Sequence, residues 1–183
     1  MRTPDQILGP YYPTGASPVT TGDLTCAREG SGQALGEIIE LTGTIRNLAS
    51  APIGGVRIVV WQANCFGRYD HPNDIGSKAP LDPNFGGFGE VQSASDGTYR
   101  LRTVKPGSYA ALDGWTRAPH VHFEVHGRFE RLVTQMYFPV EPLNETDRFL
   151  LSSRKPSLLI AKPLTFGLVG SSVFQFDIVL ARG

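Results

Sequence analysis

Short apolar runs alternate along the chain with breaks rich in glycine and proline, and within the runs the period is two residues. Residues 119–126 (PHVHFEVH) show it most plainly. In an extended segment Val121, Phe123 and Val125 share one face, while His120, His122, Glu124 and His126 share the other. The same reasoning predicts strands over 37–47, 56–65, 90–93, 98–103, 131–138, 157–162 and 172–181, with turns at 50–55 (SAPIGG), 95–97 (SDG) and 105–107 (KPG). Only 147–153 (DRFLLSS) reads as a helix, and a short one. The number and spacing of these strands predict an all-β fold, a two-sheet β-sandwich.

Two stretches lack the period. Residues 1–35 are rich in Pro, Gly, Ser and Thr and are expected to form an extended N-terminal arm over the surface of one sandwich domain spanning 36–183. Residues 66–89 (FGRYDHPNDIGSKAPLDPNFGGFG) form a long loop with no hydrophobic period, and loops of that length in compact domains commonly carry function. A functional site is therefore expected on that loop and along the histidine row.

Composition narrows the function. Lys plus Arg and Asp plus Glu are 17 each in 183 residues, so the balance favours neither nucleic acid nor an anionic membrane surface as partner. No apolar run reaches the roughly 20 residues of a membrane span, and Cys26 and Cys65 make neither a disulfide framework nor a zinc signature. A reducing cytoplasm is the expected location.

Adjacent same-face positions on a strand lie about 6.5–7 Å apart, so His120 and His122 can reach one metal ion and His126 cannot. A lone His-x-His is equally a polar sheet face turned to water. What adds to it is a pair of tyrosines, Tyr69 and Tyr109, each just after a glycine-containing turn. Phenolate and imidazole together suit a hard, highly charged cation, and tyrosine is a known ligand of iron. An ionised phenol at neutral pH needs a strong positive charge beside it, because its usual pKa is near 10. Fe(III) supplies one, and two phenolates offset most of its charge. Two other readings stay open on these residues: a cupin-like Fe(II) or zinc centre using His120, His122 and Glu124 or His71, and a noncatalytic β-sandwich binding module with an aromatic ligand platform.

The segments WQANCFGRYDH, APLDPNFGGFG, SDGTYRLRTVKPGSY, RAPHVHF and TQMYFP, in that order, closely resemble the intradiol ring-cleavage dioxygenases, and among them the protocatechuate 3,4-dioxygenase branch. The likeness covers roughly residues 36–165, with a weaker echo in TPDQILGPYYP of the arm. It implies a β-sandwich holding non-haem Fe(III) on Tyr69, Tyr109, His120 and His122, with a small aromatic diol and O2 as substrates. It implies further that Tyr109 is the ligand that leaves when substrate binds, that Arg117 is an active-site arginine, and that Gln135 hydrogen-bonds near the substrate. Family enzymes are oligomers, and with all four ligand positions in one chain a homo-oligomer is expected. Two departures bear on substrate. Ala118 and Pro119 stand in swapped order before His120, and Ala110 and Ala111 replace bulk after Tyr109, which predicts a roomier pocket. Catechol and hydroxyquinol members of that family carry a helical N-terminal domain, and no helical period precedes residue 37, so the resemblance implies a ring-carboxylate substrate over plain catechol, with Arg2, Arg28, Tyr11 and Tyr12 as the candidates to meet that carboxylate.

Overall fold

The computed structural model describes residues 1–27, 30–111, 114–164 and 172–182. Two sheets face each other. One has the order β3 (Phe88–Gln92), β2 (Arg57–Trp61), β7 (His120–His126) and β8 (Arg131–Tyr137), all antiparallel. The other centres on β1 (Ile38–Asn47), which pairs antiparallel with β4 (Thr98–Val104) and parallel with β10 (Ser172–Gln175) and β11 (Ile178–Leu180), with β9 (Lys162–Leu164) beside β10. A two-stranded ribbon, β5 (Tyr109–Ala110) with β6 (Thr116–Arg117), stands apart.

Alternation decides which side chains meet. Ile39, Leu41 and Ile45 of β1 and Leu101 of β4 pack against Ile58 and Val60 of β2, Val121, Phe123 and Val125 of β7, and Leu132 and Met136 of β8. That layer, closed to water, is the main source of stability, since apolar burial scales with area removed from solvent. The opposite face of β2 and β7 carries Val59, Trp61, His120, His122 and Glu124, and all five are buried as well. The N-terminal arm covers them. Leu8, Tyr11 and Tyr12 pack on Trp61, Val59 and Tyr69, and the arm is pinned by Thr3 N to Val179 O at 3.0 Å and Gln6 N to Val133 O at 2.9 Å. The arm is thus more than a surface wrap: Thr3, Leu24 and Thr25 are buried.

Three expected elements differ. Residues 157–162 are not a continuous strand: Pro156–Leu159 form a turn of 3-10 helix, consistent with a proline at its first position, Ile160 makes a single bridge to Tyr137, and β9 begins at Lys162. The run 172–181 is interrupted at Phe176–Asp177, where the Asp177 carboxylate takes the Thr44 N–H at 2.9 Å in place of a backbone carbonyl. The strand expected over 56–65 stops at Trp61, after which the chain turns toward Tyr69. The short helix stands, as α1 (Arg148–Leu151) capped by the Asp147 side chain.

That turn after β2 fixes one tyrosine. Asn64 Oδ1 accepts from Phe66 N at 2.9 Å and Arg68 N at 3.0 Å, and the Tyr69 N–H donates to Asp74 at 2.8 Å. Gly67, at φ +80°, lies against the turn before β5: a Cβ there would sit 2.1 Å from Ser108 O. Gly107 N donates back to Asn64 O at 2.9 Å. The two tyrosine-bearing turns therefore touch backbone to backbone. Gly67→Ala combines a left-handed conformation with a backbone clash and should cost roughly 2–5 kcal/mol. Gly76→Ala, with open space around it, should stay within about 0.5 kcal/mol of the parent. Urea unfolding of the two variants tests this, and equal effects would refute the contact.

Candidate metal centre

Four side chains converge on the outer face of the β2–β7–β8 sheet. His120 and His122 come from β7, Tyr69 from the turn after β2, and Tyr109 from β5. The Nε2 atoms of the two imidazoles are 3.2 Å apart, and Tyr109 Oη is 3.5 Å from His120 Nε2. The Tyr69 and Tyr109 rings meet edge to face at 5.5 Å, and Tyr69 lies 6.5 Å from the His122 ring. His120 Nδ1 sits 2.6 Å from the Ala118 carbonyl, which calls for a proton on Nδ1 and leaves Nε2 a bare lone pair. The indole of Trp61 stacks flat on His122 at 4.7 Å, and Tyr11 stacks on Tyr69 at 4.4 Å. Gly9 of the arm comes so close that a Cβ would lie 3.3 Å from His122 Cε1.

Without a cation this cluster is uncharged. Burial pushes the pKa values of both imidazoles well below 6.5, and the positive charge of Arg117 adds to the effect. Burial also raises the Tyr69 phenol well above 10, with the neighbouring Tyr109 reinforcing it. Tyr109 is raised by burial too, and the Arg117 charge opposes that shift. Tyr69 Oη makes no hydrogen bond among the described residues, nor does His122 Nδ1. An orphaned buried hydroxyl costs about 1–3 kcal/mol, and two imidazole nitrogens aimed at each other need a proton or a cation between them. Two imidazoles bound at about 2.1 Å to one transition-metal cation take a similar spacing. The donor set fits a hard trivalent metal.

Arg117 lies beside the cluster and is 3% exposed. It donates from Nε to Asp147 at 2.9 Å and from Nη2 to Gln135 Oε1 at 2.7 Å and Tyr137 Oη at 2.9 Å. Gln135 is fully buried, and its amide nitrogen donates to Ile7 O at 3.0 Å, so it ties Arg117 to the arm. A cavity of about 250 Å³ opens between Tyr109 and Arg117, walled by Ile7, Pro10, Tyr11, Ala111, Trp115 and Phe149. Gln135 is not among its lining residues, whereas Ala111 is. Ala110 points to solvent and pairs with Thr116.

The residues left over are committed elsewhere. His71 caps a turn through Nδ1 and meets Tyr12 O through Nε2 at 3.1 Å, while Glu124 is bound by Arg131 and His126. Among the described residues no three His, Cys, Asp or Glu converge as a metal site, so the cupin-like ligand set is not assembled. Arg2 is paired with Asp5 and Glu130, away from the cavity. Tyr12 turns toward Trp61 and Glu124. Arg28 lies outside the described residues. Of the three described candidates for a substrate carboxylate, Tyr11 is the one on the cavity wall. Sequence reasoning missed Asp147 and Tyr137. The first stood only as the start of the short helix expected over 147–153, and the second pairs with His120 across β7 and β8. No helix among the described residues is long and apolar enough to cross a membrane.

The family model described as Dioxygenase matches residues 7–182. The chain is 44% identical over 147 residues to the protocatechuate 3,4-dioxygenase beta chain of Burkholderia cepacia, covering 78% of this chain and 61% of that one. It is 30% identical over 155 residues to hydroxyquinol 1,2-dioxygenase of Rhizobium sp. (strain MTP-10005), covering 77% of this chain and 49% of that one. The alignments thus span about half to three-fifths of these two relatives. Among solved structures, the dioxygenase domain of a dioxygenase and carbohydrate-binding protein fusion from Streptomyces sp. SirexAA-E covers both chains completely, with TM-score 0.76 and 27% identity. The 3-chlorocatechol 1,2-dioxygenase of Rhodococcus opacus 1CP, at TM-score 0.77 and 20% identity, shares the fold. With its β-sandwich and this match across nearly its whole length, the chain belongs to the intradiol ring-cleavage dioxygenase family.

Proposed function

We propose that the protein is a non-haem Fe(III) dioxygenase that splits a catechol between its two hydroxyl-bearing carbons with both atoms of O2, and that its substrate is protocatechuate or a close relative. The observation that carries this reading is the cluster of two phenols and two facing imidazoles, a donor set suited to a hard cation. Tyr69, Tyr109, His120 and His122 would hold the iron. When bound, Fe(III) draws electron density from a catecholate ring and opens the ring carbon to O2.

The chain's own residues do the rest. Tyr109 Oη borders the cavity and is the phenolate placed to accept a proton from an incoming catechol hydroxyl. Tyr69, locked by the Asn64 turn and by its stack with Tyr11, is the ligand that stays. Arg117 carries a fixed charge on the cavity wall and stabilises negative charge that builds on the substrate oxygens. Gln135 orients that guanidinium through Nη2 and anchors the arm, so it acts by positioning. Ile7, Pro10, Trp115 and Phe149 exclude water around the ring. The cavity lies below the roughly 300–1,000 Å³ typical of drug-sized ligands, a scale that suits one substituted ring. Tyr11, its pKa pushed up to about 12 chiefly by burial, remains a hydroxyl donor that can meet a ring carboxylate. The 44% identity to a protocatechuate 3,4-dioxygenase beta chain supports the same substrate. A homo-oligomer in the cytoplasm suffices on this reading, because one chain supplies all four ligands.

Iron-loaded protein should be red to brown from tyrosinate-to-Fe(III) charge transfer, with a band that shifts when catechol is added without O2. An active, fully metallated preparation without colour rules out two phenolate ligands. Protocatechuate should exceed catechol in kcat/KM, and the product should be a muconate. Faster catechol turnover overturns the substrate, and a semialdehyde overturns the cleavage site.

Variants separate the ligands. Tyr69→Phe and His122→Ala should lose iron or nearly all activity, whereas Tyr109→Phe should keep iron and bind substrate more slowly. Iron retained at full turnover in Tyr69→Phe would remove that residue from the centre.

Metal-free protein should also respond to acid. Folded His120 and His122 stay neutral below pH 6.5 while the unfolded chain protonates them. Stability is then level above about pH 7 and falls as pH drops, approaching about 2.7 kcal/mol per pH unit for the two groups. The carboxylates Glu124 and Glu130, lowered from 4.5, act below this window. Urea midpoints of metal-free protein that are flat between pH 7 and 5 would contradict the buried neutral pair.

A further inference from the structure

We propose that Asp147 is a positioning residue of the site, a single carboxylate that sets the Arg117 guanidinium, the His120 tautomer and the Phe149 cavity wall together. The inference rests on the dioxygenase reading above for what Arg117 does. It rests on separate geometry for what Asp147 does. The side chain is completely buried. Its Oδ2 accepts from Arg117 Nε at 2.9 Å and from Ala118 N at 3.0 Å. The carbonyl of the same Ala118 accepts the His120 Nδ1 proton, so the strand entry that orients the imidazole hangs on this carboxylate. Its Oδ1 accepts from Phe149 N at 3.0 Å and Leu150 N at 3.1 Å, with Tyr137 Oη at 3.4 Å. Phe149 in turn lies 4.7 Å from the guanidinium carbon and lines the cavity.

Gln135 and Tyr137 also hold Arg117, but both are neutral. Asp147 is the anion bonded to it, and a buried guanidinium without a counter-charge would be driven out of this dry wall. The pair leaves no net charge beside the four metal donors, while the Nε–H bond fixes the plane of the guanidinium against the cavity. Capping of α1 is the ordinary part of the role, and the position before Arg148–Leu151 would need a cap in any case. The assignment is therefore tested with substitutions that keep the cap.

Asp147→Asn retains an oxygen for Phe149 N and Leu150 N but turns an amide donor toward Arg117 Nε–H and Ala118 N–H. Asp147→Ser retains the cap and cannot reach Arg117, and it serves if the asparagine variant fails to fold. In iron-loaded protein either change should lower kcat/KM for protocatechuate by about tenfold or more, mainly in kcat, with iron content kept. Combined with Arg117→Met, the same change should cost at most about twofold further, because contacting residues are not additive. Equal losses with and without Arg117, or a variant with parental kcat, overturn the proposal. The same cycle read by urea midpoint in metal-free protein needs no turnover. Additive midpoints there also overturn it, whereas coupled midpoints in a wild-type protein that turns over no catechol count against the functional reading instead.

Discussion

The Nε2 atoms of His120 and His122, both buried, face each other at 3.2 Å with two phenols beside them. In water such groups would take up or shed protons to suit one another. Here burial holds the imidazoles neutral and the phenols protonated, so each lone pair is left exposed to its neighbours. A low-dielectric space of that kind is costly to keep empty of charge and favourable to fill with a cation, because every phenol proton lost is replaced by a nearby positive charge. The rest of the fold can be understood as the framework that closes this space.

Closure comes from the arm. The outer face of the β2–β7–β8 sheet bears Val59 and Trp61 as well as the histidines, and an uncovered face of that kind would be both sticky and wet. Residues 3–13 cover it with the side chains of Leu8, Tyr11 and Tyr12 and with the backbone around Gly9. Gly9 passes over His122 where a Cβ would press on the ring, and Ile7 O is held by Gln135. The same segment provides Ile7, Pro10 and Tyr11 to the cavity. Packing of the arm and shaping of the substrate wall are thus one event, and a mutation that loosens the arm acts on the cavity before it acts on the core.

Much of this was legible from the chain. The two-residue period of 119–126 placed the valines and phenylalanine inward and the histidines outward, because a strand leaves no other choice. The tyrosines were findable from the glycines before them, which permit the backbone contact of Gly67 with Ser108. What was hidden depends on distant contacts. Asp147 lies 30 residues from Arg117, and nothing in its neighbourhood distinguishes a cap from a counter-ion. Gln135 was expected to hydrogen-bond near the substrate, and its bonds to Arg117 and to the arm could not be read from the chain. Arg2 looked available as a carboxylate partner, although Asp5, three residues on, already marked a local pair. The strand expected over 157–162 failed because its apolar run is short and Pro156 starts a helical turn instead.

These contacts explain why the site tolerates charge at all. Arg117 is the charged side chain on the cavity wall, and its buried pairing with Asp147 makes the wall neutral at long range but polar at close range. Pairing with Asp147 offsets part of the repulsion that the guanidinium exerts on positive charge at the two imidazoles. At contact distance the guanidinium edge still offers donors to an anionic oxygen, and a hydrogen bond to charge is about twice as strong as a neutral one. Under the proposed function, a substrate anion is therefore recognised where it touches and not from afar. Selectivity among ring substituents then falls to the shape of the pocket and to neutral donors such as the Tyr11 hydroxyl, whose value to the ligand depends on whether an oxygen stands opposite it.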